Sequence, residues 1–240
     1  MRILLVNDDG IEAEGLRHLY NWAKTKGEVT IFAPKTQQSA KSHSITIHGT
    51  YEVKKVDYFE GIEAYSVDST PADCVRVATL GFKRKFDLVI SGINCGYNLG
   101  GDIHYSGTVG ACFEAAKSGM RALALSTAFN TFENAVKHLD RVFEEIQNRK
   151  MFDFAEILNV NIPEHGDEIL VTKMGPAIYS DDFAFLPDGT IQPQLISLYK
   201  GTQNLELDTD ALMTGHISIT PLRSDFNDPT AYDFITKKIS

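Results

Sequence analysis

The chain has 240 residues, 43% of them hydrophobic and 23% charged, enough to bury a complete core as one large domain or one domain with an extension. Its net charge of −9, without a basic run, disfavours binding to a nucleic-acid polymer. The three cysteines form no C-x-x-C pair, so no disulfide framework or thiolate zinc site follows. No apolar stretch approaches a membrane span and the apolar start is too short for a signal peptide, so we expect a cytoplasmic protein.

The first half of the chain alternates apolar runs with amphipathic segments. Residues 3–6 and 29–33 are continuous apolar runs, which are typical of strands buried on both faces. Between them, apolar residues at helical spacing predict a helix over 11–26. Further elements are predicted at 51–56 and 62–67 (a hairpin), 70–80 (a helix) and 86–91 (a strand).

The alternation continues to residue 165 and then changes. The pattern predicts a glycine-rich loop at 92–107, helices at 108–118 and 131–148, and strands at 123–125 and 157–162. Strands alternating with helices indicate an α/β fold, with a mostly parallel sheet and helices on both faces. Beyond this core, predicted as 1–165, residues 166–240 show strands without intervening helices at 169–174, 176–185, 191–199 and 215–221. We interpret them as an antiparallel extension of the same domain, serving as a lid or an oligomer contact.

Two neighbouring carboxylates, Asp8 and Asp9, follow the first apolar strand directly. Two like charges this close repel, and a divalent cation such as Mg²⁺ or Mn²⁺, which prefers oxygen ligands, removes that repulsion. The alternative is that both acids stabilise the positive end of the following helix. One acid suffices for a cap, so the pair favours a metal site.

The loop at 92–107 offers groups that suit an anion or a metal. Its glycines allow close approach of the backbone, and the carboxamides of Asn94 and Asn98 supply oxygen atoms for a metal or N–H donors for phosphate. The loop matches neither the P-loop motif nor the dinucleotide fingerprint. A surface loop that uses Asn and Gly as turn formers is the alternative.

Ser106, Gly107 and Thr108 open the next helix, where hydroxyls and free N–H groups form a ready phosphate site. Simple capping explains the same pattern equally well. In the polar loop 34–44, a serine hydroxyl can serve as a neutral metal ligand, but as isolated residues these side chains are better explained as simply solvated. His104 lies nearest the phosphate loop and is the one histidine worth testing for acid–base chemistry.

Several long motifs in this order resemble the family of the stationary-phase survival protein SurE, whose members are metal-dependent 5′/3′-nucleotidases. The resemblance covers nearly the whole chain. It rests on residues 3–10 (ILLVNDDG), 33–34 with 37–39 (AP, QQS), 70–75 (TPADCV), 91–94 with Gly96, Asn98 and Gly100 (SGIN), 105–109 (YSGTV), 159–163 (NVNIP) and 218–222 (SITPL).

The resemblance implies that Asp8, Asp9, Ser39 and Asn94 bind one divalent cation per subunit. It also implies a Rossmann-like core, and a C-terminal hairpin that helps to form homodimers or homotetramers. The implied activity is hydrolysis of nucleoside monophosphates, with short polyphosphate as a further substrate. Two departures, Ala40 and Ala115 where the family usually has glycine, remove no predicted ligand.

As a hypothesis for the mechanism, a metal-bound water attacks the phosphorus without a covalent phosphoenzyme. Asp8 or Asp9 accepts the proton of that water, while Asn94, Asn98 and Ser106 stabilise charge on the phosphoryl oxygens. Two other classes of protein compete with this hypothesis. One is a phosphoacceptor receiver domain, which needs a third Asp and a Lys in a shorter chain, and the other is a nucleotide-binding protein without turnover.

Overall fold

The computed structural model describes residues 1–129, 131–225 and 227–239. The strands are β1 (Arg2–Val6), β2 (Glu28–Pro34), β3 (Val53–Val56), β4 (Glu63–Val67), β5 (Leu88–Cys95), β6 (Arg121–Thr127), β7 (Ile157–Ile162), β8 (Ile169–Val171), β9 (Tyr179–Phe185), β10 (Ile191–Ser197) and β11 (Ile217–Leu222). The α-helices are α1 (Glu14–Ala23), α2 (Pro71–Arg76), α3 (Gly107–Lys117), α4 (Glu133–Asn148), α5 (Asp208–Met213) and α6 (Pro229–Ile239).

Nine strands form one sheet in the order β3-β4-β2-β1-β5-β6-β7-β11-β8, and β9 pairs with β10 in a separate hairpin. The strands from β4 to β7 in this order run parallel, while β3 and β11 run antiparallel to their neighbours β4 and β7. The predicted α/β class, with its C-terminal antiparallel hairpin, is confirmed. The parallel arrangement brings the carboxyl ends of β1, β2 and β5 to one edge of the sheet.

Helices cover both faces of the sheet. On one face α1 and α4 contribute Leu16, Leu19 and Leu139, and on the other face α2 and α3 contribute Val75 and Cys112. Central strand β1 is therefore covered on both sides, and its residues 3–6 are all fully buried. This double coverage is the physical reason that the strand reads as a continuous apolar run instead of an alternating one.

Two boundaries near the edge of the sheet differ from the prediction. The first helix begins at Glu14 and not at residue 11, because the Ile11 N–H donates to the Pro34 carbonyl at 2.8 Å. The predicted loop at 92–107 is strand as far as Cys95, because β5 resumes pairing with β6 after an irregularity between Ser91 and Asn94. The chain before α1 and the end of β5 are thereby fixed to the sheet.

The segment after residue 165 is more closely joined to the core than its sequence indicates. Strands β8 and β11 lie in the main sheet, so only β9 and β10 form a separate hairpin. The prediction of strands without intervening helices is wrong, since α5 separates β10 from β11. Buried Asp208, the first residue of α5, accepts hydrogen bonds from the N–H groups of Gly100 and Gly175, which ties the helix to the loop after β5. The division at residue 165 stays a prediction.

The long connection between β2 and β3 is held against α2 and α3 by a partly buried ionic cluster. Glu114 lies 2.8 Å from His43 and 3.2 Å from Arg76. Burial raises the pKa of Glu114, but the hydrogen bond from His43 and the nearby cations outweigh it, so that the pKa is lowered overall. Asp73 accepts a bond of 2.8 Å from the Thr46 N–H. The loop is therefore anchored at two points and approaches the amino end of α3.

The contact of this loop with α3 predicts the effect of a methyl group at Gly110. A Cβ there would lie 2.2 Å from the carbonyl oxygen of Ser42, which is backbone and cannot swing aside. We expect Gly110→Ala to lower the free energy of unfolding by roughly 1–3 kcal/mol, measured by urea denaturation. Gly81→Ala is the matched control, because its Cβ would meet only Val77, at 3.9 Å. Equal losses for the two variants would contradict this packing.

Candidate active site

The acidic pair lies at the tip of β1, where a tight turn leads to α1. The buried Asn7 side chain donates to the Gly10 carbonyl at 2.8 Å, and Gly10 adopts a φ of +106° that favours glycine. The turn places Asp8 and Asp9 on different sides of the chain. Their two environments differ in burial and in hydrogen-bond partners.

Asp8 is oriented from α3. The Thr108 hydroxyl donates to its Oδ1 at 2.5 Å, and the Thr108 N–H also bonds to this residue. Only 5% of Asp8 is exposed. Burial raises its pKa to about 6; the Thr108 hydroxyl lowers it and the charge of Asp9 raises it further. The protein thus keeps this carboxylate in place but compensates its negative charge only in part.

Asp9 faces the end of strand β5. Its Oδ2 accepts a bond of 3.3 Å from the Cys95 N–H at the end of β5, and Gln37 also donates to it. It is half-buried, and burial raises its pKa against the opposing effect of these donors. Asp9 therefore connects β1 to β5 and keeps partial access to solvent.

Two further predicted ligands lie on the same edge of the sheet. The Asn94 carboxamide donates from Nδ2 to the Gly96 carbonyl at 2.7 Å, which turns its oxygen to the opposite side. Ser39 is exposed in the turn after β2, next to Gln38, whose N–H donates to the Asp8 carbonyl at 2.6 Å. The fold thus gathers the ends of three adjacent strands around the acidic pair.

The donor set fits a hard divalent cation. Two carboxylates, a carboxamide oxygen and a hydroxyl are all oxygen ligands, as Mg²⁺ and Mn²⁺ prefer. Among the described residues no group of three or more His, Cys, Asp or Glu side chains could hold a metal. A cation at Asp8 and Asp9 would therefore need neutral oxygens as further ligands, which is the role predicted for Ser39 and Asn94. Burial raises the pKa of both aspartates, so the ionised pair is destabilised when no cation is bound.

The predicted phosphate-binding residues at the start of α3 each make a contact that supports the structure. Ser106 caps the helix, since its Oγ accepts from the Val109 N–H at 3.1 Å. Thr108 is fully buried and directs its hydroxyl to Asp8, so it orients a carboxylate. A Cβ on Gly107 would lie 2.9 Å from the Cβ of Asp8, so this glycine permits the close approach of helix and strand. Phosphate contacts by these three residues stay a prediction.

Asn98 belongs to a buried polar network behind the loop. Its carboxamide donates to Ser126 at 2.8 Å, and its main chain is held by Asn159 and Asn161, each bonded to the Asn98 carbonyl at 2.8 Å. These contacts show that Asn98 anchors the loop. Phosphate binding by Asn98 stays a prediction. His104 is exposed, and its carbonyl accepts from the Ser42 hydroxyl at 2.6 Å.

Sequence reasoning missed three supporting groups. The Thr108 bond to Asp8 spans one hundred residues, and no local pattern reveals such a pair. Gln37 also contacts the acidic pair from a distant loop. For Asn159 and Asn161 a signal was available: two amides at i and i+2 lie on one face of an otherwise apolar strand, and a buried polar pair needs partners.

Comparison with known proteins identifies the family to which this arrangement belongs. The family model described as "Survival protein SurE" matches residues 3–181. The chain belongs to the SurE family. The resemblance found in the sequence motifs is thereby confirmed.

Among its relatives, the "5'-nucleotidase SurE" of Clostridium beijerinckii is 38% identical, with 99% of this chain and 98% of the relative covered. The protein of the same name from Clostridium botulinum is 39% identical over 94% of each chain. The crystal structure of the SurE protein from Aquifex aeolicus matches with a TM-score of 0.82 at 30% identity, covering 100% of both chains.

The hydrogen bond from Thr108 to Asp8 leads to a prediction for the affinity of the candidate metal site, although Thr108 is not itself a predicted ligand. Thr108→Val keeps the shape of the side chain but removes the donor to Asp8. We expect Mn²⁺ affinity to fall about 10- to 100-fold, since partners that orient metal ligands typically have effects of this size. Isothermal titration with Mn²⁺ measures the change. Thr108→Ser retains the hydroxyl and should stay within a few-fold of the wild-type protein; equal loss in both variants would contradict the assignment.

The raised pKa of Asp8 predicts how the stability of the metal-free protein depends on pH. The folded protein binds the Asp8 proton more tightly than the unfolded chain, so stability falls as pH rises from about 4 to about 6. A shift of about two pKa units corresponds to about 3 kcal/mol.

Asp8→Asn removes this titration. After chelation, the difference in free energy of unfolding between Asp8→Asn and wild type should therefore grow in favour of the variant from pH 4 to pH 7, by urea denaturation at each pH. A difference that stays constant over this range would show that Asp8 does not titrate with a raised pKa.

Proposed function

We propose that this protein is a divalent-metal-dependent phosphomonoesterase that hydrolyses nucleoside 5′-monophosphates to nucleoside and phosphate. The observation that carries the proposal is the pair Asp8 and Asp9 after β1, two carboxylates whose pKa is raised. The ends of the two neighbouring strands, β2 and β5, bring the oxygen donors Ser39 and Asn94 to the same edge of the sheet. The relatives named 5'-nucleotidase SurE agree with the activity expected from the sequence. Nucleoside 3′-monophosphates and short polyphosphate are further substrates to compare.

One Mg²⁺ or Mn²⁺ per subunit, held by Asp8, Asp9, Ser39 and Asn94, supplies Lewis-acid activation of the phosphoryl group and of water when bound. Within this set the two aspartates differ. Asp8 is buried and held by Thr108, which suits a fixed ligand. Asp9 is partly exposed, so it is the carboxylate placed to accept the proton of the attacking water. The proposed reaction is direct attack by water without a phosphoaspartate; trapping a phosphoaspartate would contradict it.

The amino end of α3 supplies positive potential for the phosphoryl oxygens. Gly107 is the first residue of the helix and lies in contact with Asp8, so a phosphate that reaches the acidic pair also meets this helix terminus. Ser106 stabilises developing charge through its hydroxyl hydrogen, because its oxygen is already engaged as the helix cap. Asn98 acts in this proposal by fixing the loop that carries Asn94.

The partner we propose besides the nucleotide is a second copy of this chain, in a homodimer or homotetramer. Hairpin β9–β10 exposes several large apolar side chains, which favours an interaction surface. They are Phe183, Phe185, Ile191, Leu195 and Ile196. The net charge of −9 argues against a nucleic-acid polymer as a partner.

We place the protein in the cytoplasm, where thiols stay reduced. Cys74 and Cys112 are buried, and burial raises the pKa of both thiols, which makes both inert. None of the helices in the described parts of the chain is long and apolar enough to cross a membrane.

Removal of the metal and replacement of Asp9 test the proposal. Chelation should abolish phosphate release from nucleoside 5′-monophosphates, and added Mn²⁺ or Mg²⁺ should restore it. Asp9→Asn should lower kcat/KM by more than about 100-fold, since it removes both a ligand and the proton acceptor. Asp57→Asn replaces an exposed carboxylate outside the site and is the matched control. Full turnover in the chelated enzyme, or in Asp9→Asn, would refute the mechanism.

A further inference from the structure

A cavity of 640 Å³ opens directly beside the acidic pair. Its wall includes Asp9 and Cys95 from the strand ends, residues from the first turns of α1, and Phe132 at the start of α4. Its volume lies within the range of small-molecule sites, about 300–1,000 Å³. The cavity is therefore large enough for a group the size of a nucleoside.

Asp9 is shared by this cavity and the candidate metal site. Its carboxylate belongs to the acidic pair and also lines the cavity, and its bond from the Cys95 N–H fixes it at the boundary. A phosphate monoester held at the pair has one ester oxygen that leads to its leaving group. The leaving group must occupy space next to the pair, and this cavity provides it.

Two other cavities lie in positions that do not suit a leaving group bound next to the acidic pair. One of 290 Å³ is lined by Met1 and Leu88, at the amino ends of β1 and β5, which is the opposite edge of the sheet from the acidic pair. Another of 470 Å³ lies between Asp102 and the hairpin residue Leu195, and neither Asp8 nor Asp9 lines it. Only the cavity beside Asp9 shares a residue with the acidic pair among these three.

The wall of the cavity includes an aromatic surface made of two rings in contact with each other. The rings of His18 and Phe132 lie 5.4 Å apart between centroids and are tilted by 35°. Glu14 lies 3.3 Å from Nε2 of His18 and orients its ring. A nucleobase stacks on such a surface irrespective of its identity, because every base has a π-face.

The charged groups of the cavity suit a neutral leaving group with hydroxyl donors. Glu14 and Glu133 are exposed carboxylates, and with Asp9 they make the cavity acidic. Carboxylates accept hydrogen bonds from the hydroxyls of a ribose. They repel a second anionic group, so the phosphate itself is directed to the metal and the uncharged nucleoside to the cavity.

We propose that this cavity is the nucleoside subsite of the enzyme, with the base against His18 and Phe132 and the ribose hydroxyls at Glu14 and Glu133. The subsite rests on the proposed nucleotidase activity. Because the base is held by stacking alone, it serves purine and pyrimidine nucleotides alike.

The test compares two esters that share the phosphate and the sugar but differ in the base: adenosine 5′-monophosphate and ribose 5-phosphate, both with Mn²⁺. For Phe132→Leu, which keeps apolar packing but removes the aromatic face, the ratio of kcat/KM for the nucleotide to that for the sugar phosphate should fall about tenfold, mainly through KM. His18→Ala removes a partly exposed ring of α1 and should lower the ratio in the same direction. Phe154→Ala, an aromatic residue that is 89% exposed elsewhere on the surface, should leave the ratio unchanged.

The outcomes separate the subsite from the activity on which it depends. If wild type hydrolyses both esters and the ratio stays within twofold in Phe132→Leu and His18→Ala, the subsite is overturned and the nucleotidase stands. If wild type hydrolyses neither ester with Mn²⁺, the proposed function falls and the subsite falls with it. Should Phe132→Leu not fold, as judged by circular dichroism, the surface variant His18→Ala decides alone.

Discussion

The site depends on one electrostatic constraint, the burial of the Asp8 carboxylate at the tip of a central strand. Strand β1 is covered on both faces, so Asp8 cannot turn to water, and a second carboxylate follows at once. Thr108 and the amino end of α3 offset part of the resulting charge. A divalent cation bound at the pair would offset the remaining charge, so the arrangement suits metal-dependent phosphate chemistry.

Close packing of the α3 backbone against Asp8 and against the loop after β2 makes the burial of Asp8 possible. Gly107 lets α3 approach Asp8 so nearly that no side chain fits between them, and Gly110 does the same for the loop that carries Ser39. Behind the loop after β5, Asn159 and Asn161 fix the main chain of Asn98. The predicted ligands are thus held by glycine contacts and by a buried amide network. A site assembled from three loops gains in this way the rigidity that catalysis needs.

The two neighbouring aspartates have different surroundings. Asp8 faces inward and is tied to α3, whereas Asp9 faces the end of β5 and the cavity beside it. The tight turn after β1, closed by the bond from the Asn7 side chain to the Gly10 carbonyl, directs the two side chains to different partners. Both aspartates lie within residues 3–181, the part of the chain that the SurE family model matches.

By itself the sequence determined the α/β class, the acidic pair and the motifs of the family, because these depend on local order along the chain: apolar runs, helical spacing and neighbouring charges. It also placed Asn94 and the start of α3 near the site, since parallel strands end at one edge of a sheet. Tertiary structure alone decided that Thr108 orients Asp8, that β5 continues to Cys95, and that α5 interrupts the C-terminal strands. Each of these depends on contacts between residues far apart in the chain. The cavity that joins Asp9 to His18 and Phe132 arises in the same way, from the packing of α1 beside α4.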